Sequence, residues 1–221
     1  MTLEAKNIGR KYIRQNKSFD ALNNVNLRIS GGEFVCIFGE SGSGKTTLLN
    51  CLSGISRPES GTVFINDSDI FSLREGRRTK LRNSEIGYVM QNGGLLGNFT
   101  VSENIVFPQT INGFSVNEER LYEILSRLGL GDVADSCPEQ LSGGEYRRAE
   151  LARAVYAAPE IIIADEPTGN LDEDNAEIVR NFLDEQYRSG KCVIVATHDS
   201  AFVRNRYRFY RMKQGMLTAE G

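Results

Sequence analysis

The four cysteines, at positions 36, 51, 137 and 192, form no C-x-x-C pair, so the chain spells out neither a redox motif nor a zinc-binding pair. Cys36 and Cys192 lie inside apolar runs, the pattern of reduced, buried small hydrophobes in a cytosolic protein. No apolar run approaches the roughly 20 residues that span a bilayer. Any membrane role is therefore expected to come through a partner. The first residues, Met1-Thr-Leu-Glu-Ala-Lys6, lack the apolar stretch of a secretory signal. A net charge of −3 and a pI of about 5.4 leave no global basic field, and no nucleic-acid partner is expected. The local basic stretches 74–80 and 204–208 read as solvated faces. Low-complexity tracts and internal repeats are absent, and histidine occurs once, at position 198.

What is present is concentrated in a few short segments. Gly39-Glu-Ser-Gly-Ser-Gly-Lys45-Thr46 fits G-x-x-x-x-G-K-[ST], the pattern of a phosphate-binding loop between a strand and a helix. The apolar run Phe34–Phe38 supplies the strand, and Thr47–Leu52 reads as the first turns of the helix. Glycines let the loop curl until its N–H groups point inward, and the helix N-terminus adds a positive dipole end. Lys45 is expected to reach the β- and γ-phosphates, with the Thr46 hydroxyl on Mg²⁺. Gly39, Ser41, Gly42, Ser43, Gly44 and Thr47 complete the cradle.

Before the loop, residues 1–35 alternate apolar and polar at Leu3–Ile8 and Val25–Ile29, which predicts an antiparallel strand region. After it, Thr62–Ile65 and Glu85–Gln91 read as strands, the second delivering Gln91 at its C-terminal end. From residue 92 to 158 the strand pattern vanishes. Helical spacing appears at 101–107, 118–130 and 143–158. Strands return at Ile161–Ala164 and Cys192–Ala196, short, branched and apolar enough to be buried on both faces. A helix over about 174–189, closed by Gly190, makes the pair a βαβ unit. The expected architecture is one α/β domain. Residues 1–91 and 159–221 form a nucleotide-binding core with a mostly parallel sheet and an N-terminal antiparallel region, and 92–158 forms an inserted helical subdomain.

Asp165-Glu166 ends the strand Ile161–Ala164. Two adjacent carboxylates at a strand tip are costly without a cation or a task. In a fold built around a phosphate loop the first holds Mg²⁺, and the second polarises water for in-line attack on the γ-phosphorus. His198 follows the neighbouring strand in Ala-Thr-His-Asp199. Ligands bind at the carboxyl ends of such strands, so it is placed to donate a hydrogen bond to the γ-phosphate.

Leu141-Ser142-Gly143-Gly144-Glu145, at the head of a helix, is similar to the signature loop of ATP-binding cassette (ABC) ATPases. A Ser and two glycines at a helix start make a second anion nest. The resemblance covers nearly the whole chain and implies the RecA-like core of phosphate-loop NTPases, ATP and Mg²⁺ as ligands, and an ATP-dependent homodimer. Its two chains pair head to tail, each ATP lying between the phosphate loop of one and the signature (Ser142, Gly143, Gly144, Glu145) of the other. It further implies adenine stacking on Tyr12, a metal contact from Gln91, and a seam-crossing loop at Gly169–Asp172. Glu145 departs from the family's usual Gln and adds a negative charge beside the partner's nucleotide.

The run Asp165–Asp172 and Thr100-Val-Ser-Glu-Asn104 resemble the branch that serves lipoprotein release and macrolide or antimicrobial-peptide export, including mechanotransmission. That resemblance implies a separate integral-membrane permease subunit, with the chain at the cytoplasmic face of the membrane. Leu95, Leu96, Phe99 and Ile105 are candidates both for a groove receiving a permease helix and for the core of the helical lobe. The competing expectation is a soluble single-cassette ATPase of a non-transport assembly, such as iron–sulfur cluster scaffolding.

Overall fold

The computed structural model describes residues 1–14, 17–91, 94–203 and 207–220. Part of the basic stretch 204–208 and the start of the helical segment at 92–93 lie outside them. Two sheets form the framework. The smaller is antiparallel, in the order β2-β1-β4-β5, with β1 Thr2–Arg14, β2 Lys17–Ser30, β4 Ser60–Ile65 and β5 Ser68–Asp69. The larger runs β10-β9-β3-β8-β7-β6. Its members are β3 Phe34–Phe38, β6 Ile86–Val89, β7 Ile161–Asp165, β8 Cys192–Thr197, β9 Arg208–Lys213 and β10 Met216–Glu220. All its pairings are parallel except the edge hairpin β9–β10.

Strands β3, β7 and β8 are buried on both faces, and the two-residue side-chain period divides them between two cores. Val35, Ile37, Ile161, Ile163 and Ile194 face the antiparallel sheet and the helix α1 (Lys45–Leu52). Phe34, Cys36, Ile162, Val193 and Val195 face the helical layer of α3 (Val101–Thr110), α4 (Glu118–Arg127), α5 (Gly143–Tyr156) and α6 (Glu173–Arg188). Ile105 is fully buried in this second core. Burial pushes the thiols of Cys36 and Cys192 up, that of Cys192 to about 12, so both remain inert thiols at neutral pH.

Side chains cap the starts of α3, α5 and α6. Thr100 and Glu103 satisfy each other's backbone N–H groups in a capping box, Ser142 and Glu145 do the same for α5, and Asp172 caps α6. Helix α6 crosses from β7 to β8 and ends before Gly190, whose φ of 92° suits glycine.

Four strands or α-helices exceed the sequence expectation, the two-residue β5 among them. Helix α2 (Glu75–Glu85) buries no residue and has no apolar stripe; Glu75 pairs with Arg78 and Arg82 along its surface. Strand β9 alternates in burial, with Tyr210 and Met212 turned inward but separated by charged residues, whereas β10 buries no side chain. In the remaining strands β3 keeps its expected bounds and the others shift by one to eight residues, the largest extension being at the start of β2 in the β1–β2 hairpin.

Candidate active site

The larger sheet places the carboxyl ends of β3, β8, β7 and β6 side by side, and the loops leaving those ends carry the chemistry-bearing residues. After β3 the chain turns through Gly42 (φ 78°) and Gly44 (φ 113°) into α1. A Cβ on Gly44 would collide with the carbonyl of Ala21, so this turn requires glycine on both conformational and steric grounds. The Lys45 ammonium donates to the carbonyls of Gly39 (2.6 Å) and Glu40 (3.2 Å) and lies 3.5 Å from Glu166 Oε1. It thus folds back over its own loop. The buried Ser43 hydroxyl has no hydrogen-bond partner among the described residues.

The two adjacent acids at the end of β7 point to different partners. Asp165 is fully buried and its Oδ2 accepts a 2.6 Å hydrogen bond from the Thr46 hydroxyl. Its Oδ1 is buried and has no hydrogen-bond partner among the described residues. Burial raises the Asp165 carboxyl above its ordinary range, with the charge of Glu166 adding to the effect against the Thr46 hydrogen bond, Lys45 and Arg147. An orphaned buried carboxylate oxygen beside a hydroxyl fits a cation. A carboxylate and a hydroxyl side by side suit Mg²⁺ shared with phosphates and held by one or two protein groups.

Glu166 has a left-handed backbone, φ 47°, a conformation that costs a non-glycine residue about 1–2 kcal/mol. Its N–H donates to the Ala196 carbonyl at 2.8 Å, and its carbonyl accepts from Gly169 at 3.1 Å. The carboxylate lies 3.0 Å from His198 Nδ1 and accepts from the Thr197 hydroxyl at 3.1 Å and the His198 amide at 3.3 Å. Lys45, Glu166 and His198 thereby meet over one point. Asp199 anchors the His198 segment by accepting from the Thr168 hydroxyl (2.9 Å) and the Arg180 guanidinium (3.1 Å).

A cleft of about 1020 Å³ covers these groups, slightly beyond the roughly 300–1,000 Å³ of ordinary ligand pockets. Gly39, Ser41, Gly42, Gly44, Lys45, Thr46, Thr47, Asp165, Glu166 and His198 line it, with Gln91 opposite and Tyr12 at the mouth. Ser43 lies behind the loop. Of the signature, Gly143 alone reaches the cleft wall. Ser142 and Glu145 bind each other at 2.7 Å, and Gly144 packs against Asn175. Asn170 and Leu171 of the loop after Glu166 also face the cleft.

Three residues of the site are additions to the sequence reading. Phe19 lies across the β1–β2 hairpin from Tyr12, their ring centroids 6.0 Å apart; the alternating strand pattern contained it without marking it. Thr197 ends β8, one residue beyond the expected strand, and stood in the sequence only as the link between that strand and His198. Arg147, 8% exposed, reaches from α5 to the ends of β6 and β7, a contact between distant segments that no local pattern encodes.

Fold and site together define a phosphate-loop NTPase whose helical layer carries a second glycine-rich helix start. The model of ABC transporters matches residues 22–169. The chain is 36% identical over 222 residues to the lipoprotein-releasing system ATP-binding protein LolD of Saccharophagus degradans, covering 99% of this chain and 97% of that one. It is 37% identical to the macrolide export ATP-binding/permease protein MacB of Syntrophobacter fumaroxidans, again over 99% of this chain but 31% of that longer protein. The dimeric, post-hydrolysis structure of the ATP-binding cassette MJ0796 with ADP and Pi superposes with a TM-score of 0.92 at 36% identity, covering 99% of this chain and 97% of that one. The chain belongs to the ABC transporter family and is an ATP-hydrolysing cassette of that family.

Proposed function

We propose that this cassette powers a separate membrane permease of the lipoprotein-release or macrolide- and peptide-export type, by transport or mechanotransmission. The supporting observation is the meeting of Lys45, Glu166 and His198 beside the Thr46–Asp165 pair. Two copies bind ATP and close head to tail. Lys45 leaves the Gly39 and Glu40 carbonyls for the phosphates, and the loop backbone from Gly42 to Thr47 cradles them. Thr46 and Asp165, with Gln91, hold Mg²⁺, which when bound neutralises charge on the phosphate oxygens.

Glu166, released from Lys45, orients the attacking water, and His198 steadies the γ-phosphate through its ring. Ser142, Gly143 and Gly144 of the other copy close the cage, with Glu145 at its edge. Position and charge carry the catalysis of a loose phosphoryl transition state. Tyr12, flanked by Phe19, stacks on adenine. Loss of the bridging phosphate lets the copies part. Residues 92–158 move as a lobe against the core of 1–91 and 159–221, and the groove at Leu95, Leu96 and Phe99 passes that movement to the permease.

No helix among the described residues is long and apolar enough to cross a membrane, so the permease holds the cassette at the cytoplasmic face. Likeness along nearly the full length of a lipoprotein-release ATPase favours this reading over soluble iron–sulfur scaffolding. The test is Glu166→Gln with Mg-ATP in light scattering. The variant is expected to accumulate as an ATP-bound dimer with turnover reduced at least about a hundredfold; a monomer at saturating nucleotide, or wild-type turnover, contradicts the mechanism.

A further inference from the structure

The Arg147 guanidinium sits where the helical layer meets the catalytic strand ends, and every N–H direction of its fork is used. Nη2 donates to the carbonyls of Asp165 (2.8 Å) and Glu166 (2.9 Å), and Nε to that of Pro167 (3.3 Å). Nη1 donates to the carbonyl of Met90 (2.8 Å) and to Glu150 Oε2 (2.8 Å). Arg147 and Glu150 are both buried on α5, three residues apart. The fork thus grips three consecutive carbonyls at the place where the backbone turns left-handed to aim Glu166. It also grips the carbonyl immediately before Gln91.

Two physical points decide what this cluster does. A strained non-glycine φ persists only where its surroundings over-determine it, and Arg147 supplies three of the fixed points around Glu166. A buried arginine needs a counter-charge and acceptors for its five N–H groups. Glu150 provides the charge on one side and thereby turns the remaining donors toward β7. Such charge-assisted bonds are about twice as strong as neutral ones, and a lysine ammonium at this place lacks the planar fork to serve separate carbonyls at once.

We infer that Arg147 is a positioning residue for Glu166: oriented by Glu150, it fixes the backbone that presents the water-orienting carboxylate and ties it to the Gln91 segment. Arg147 does this through backbone carbonyls, and Glu166 performs the chemistry. The inference rests on the role of Glu166 given under Proposed function.

The test compares Arg147→Ala, Arg147→Lys and Glu150→Gln with wild type and Glu166→Gln in full-length protein. It measures kcat, KM for Mg-ATP, direct nucleotide affinity and melting temperature. Arg147→Ala is expected to lower kcat at least about tenfold while nucleotide affinity stays within about twofold, because the phosphate loop is untouched. Guanidinium ion at low millimolar concentration, which fits the space vacated, is expected to restore part of that kcat and to leave Glu166→Gln inactive. Arg147→Lys keeps the charge without the fork and is expected to recover less than half of the loss. Glu150→Gln keeps an acceptor without the charge and is expected to lower kcat about threefold at constant KM.

A folded Arg147→Ala with wild-type kcat overturns the inference, as does a loss of kcat that follows nucleotide affinity in proportion and ignores guanidinium. If Arg147→Ala does not fold, Arg147→Lys and Glu150→Gln decide by the same split: unchanged kcat in both overturns it. Wild-type turnover by Glu166→Gln removes the underlying role of Glu166 instead, whereas an inactive Glu166→Gln beside a fully active Arg147→Ala removes only the positioning role.

Discussion

Thr46 and Asp165 stand 119 positions apart and meet in a 2.6 Å hydrogen bond, which joins the start of α1 to the end of β7. The other oxygen of Asp165 is buried and has no partner among the described residues. A buried, half-satisfied carboxylate destabilises the nucleotide-free protein and waits for a cation.

Asp165→Asn keeps an acceptor for Thr46 and removes the buried charge. The nucleotide-free variant is expected to melt about 2–4 °C higher than wild type, the shift that about 1 kcal/mol produces in a chain of this size. Its ATPase is expected to need at least about tenfold more Mg²⁺. An unchanged magnesium dependence contradicts the metal assignment.

Glu145 accepts from both the amide and the hydroxyl of Ser142, which holds its carboxyl below the usual range. Gln serves a capping box as well as Glu, so Glu145→Gln is expected to leave the melting temperature within about 1 °C of wild type. In the proposed head-to-tail dimer it removes a negative charge from beside the partner's phosphates. In the Glu166→Gln background, ATP-dependent dimers are expected at several-fold lower protein concentration, measured by sedimentation. Weaker dimerisation would place Glu145 away from the nucleotide.

Tyr12 is 38% exposed at the cleft mouth, with Phe19 across from it and the Arg10 guanidinium 5.3 Å from its ring centroid. Stacking of a base on such a ring is worth about 1–3 kcal/mol and does not discriminate between bases. Tyr12→Ala is expected to weaken ATP and GTP by the same factor, between about fivefold and a hundredfold in Kd. Equal binding by variant and wild type in calorimetric titration excludes Tyr12 from the base site.

Burial opposes the charge on Asp199, but the Ala201 amide, the Thr168 hydroxyl and the Arg180 guanidinium outweigh it and hold the carboxyl below its ordinary range. A depressed folded value means stability that is complete above the ordinary aspartate pKa and lost as pH falls through the depressed value. Asp199→Ala leaves the buried Arg180 with Glu173 alone. It is expected to cost about 1–3 kcal/mol near neutral pH. The gap to wild type in urea unfolding should narrow as pH falls below the usual aspartate range. A gap independent of pH would remove the ion pair from the account.

The phosphate loop, the strand-end acids and the signature were legible because each is a local pattern: the backbone of a few consecutive residues must curl, cap or end a strand, and only certain residues permit it. The buried strands showed themselves by uninterrupted apolar runs, and α3 and α5 by their helical spacing. Helix α2 escaped because it buries no side chain, so its sequence carries no stripe. Strand β9 escaped because Tyr210 and Met212 alternate with arginine and lysine within a short run. Phe19 and Arg147 escaped for a different reason, since their partners lie across a hairpin or on distant strands.

Local order alone thus determined which segments curl into a glycine-rich loop, end strands and start helices, since backbone geometry and hydrogen-bond satisfaction act over a few residues. The tertiary structure decided how the two carboxylates divide their partners, with Asp165 turned to Thr46 and Glu166 to Lys45 and His198. It also decided that Arg147 binds the backbone beneath them. Those outcomes depend on the strand order β3-β8-β7-β6 and on a buried guanidinium finding its acceptors. Packing settles both only once segments far apart in the chain share one core.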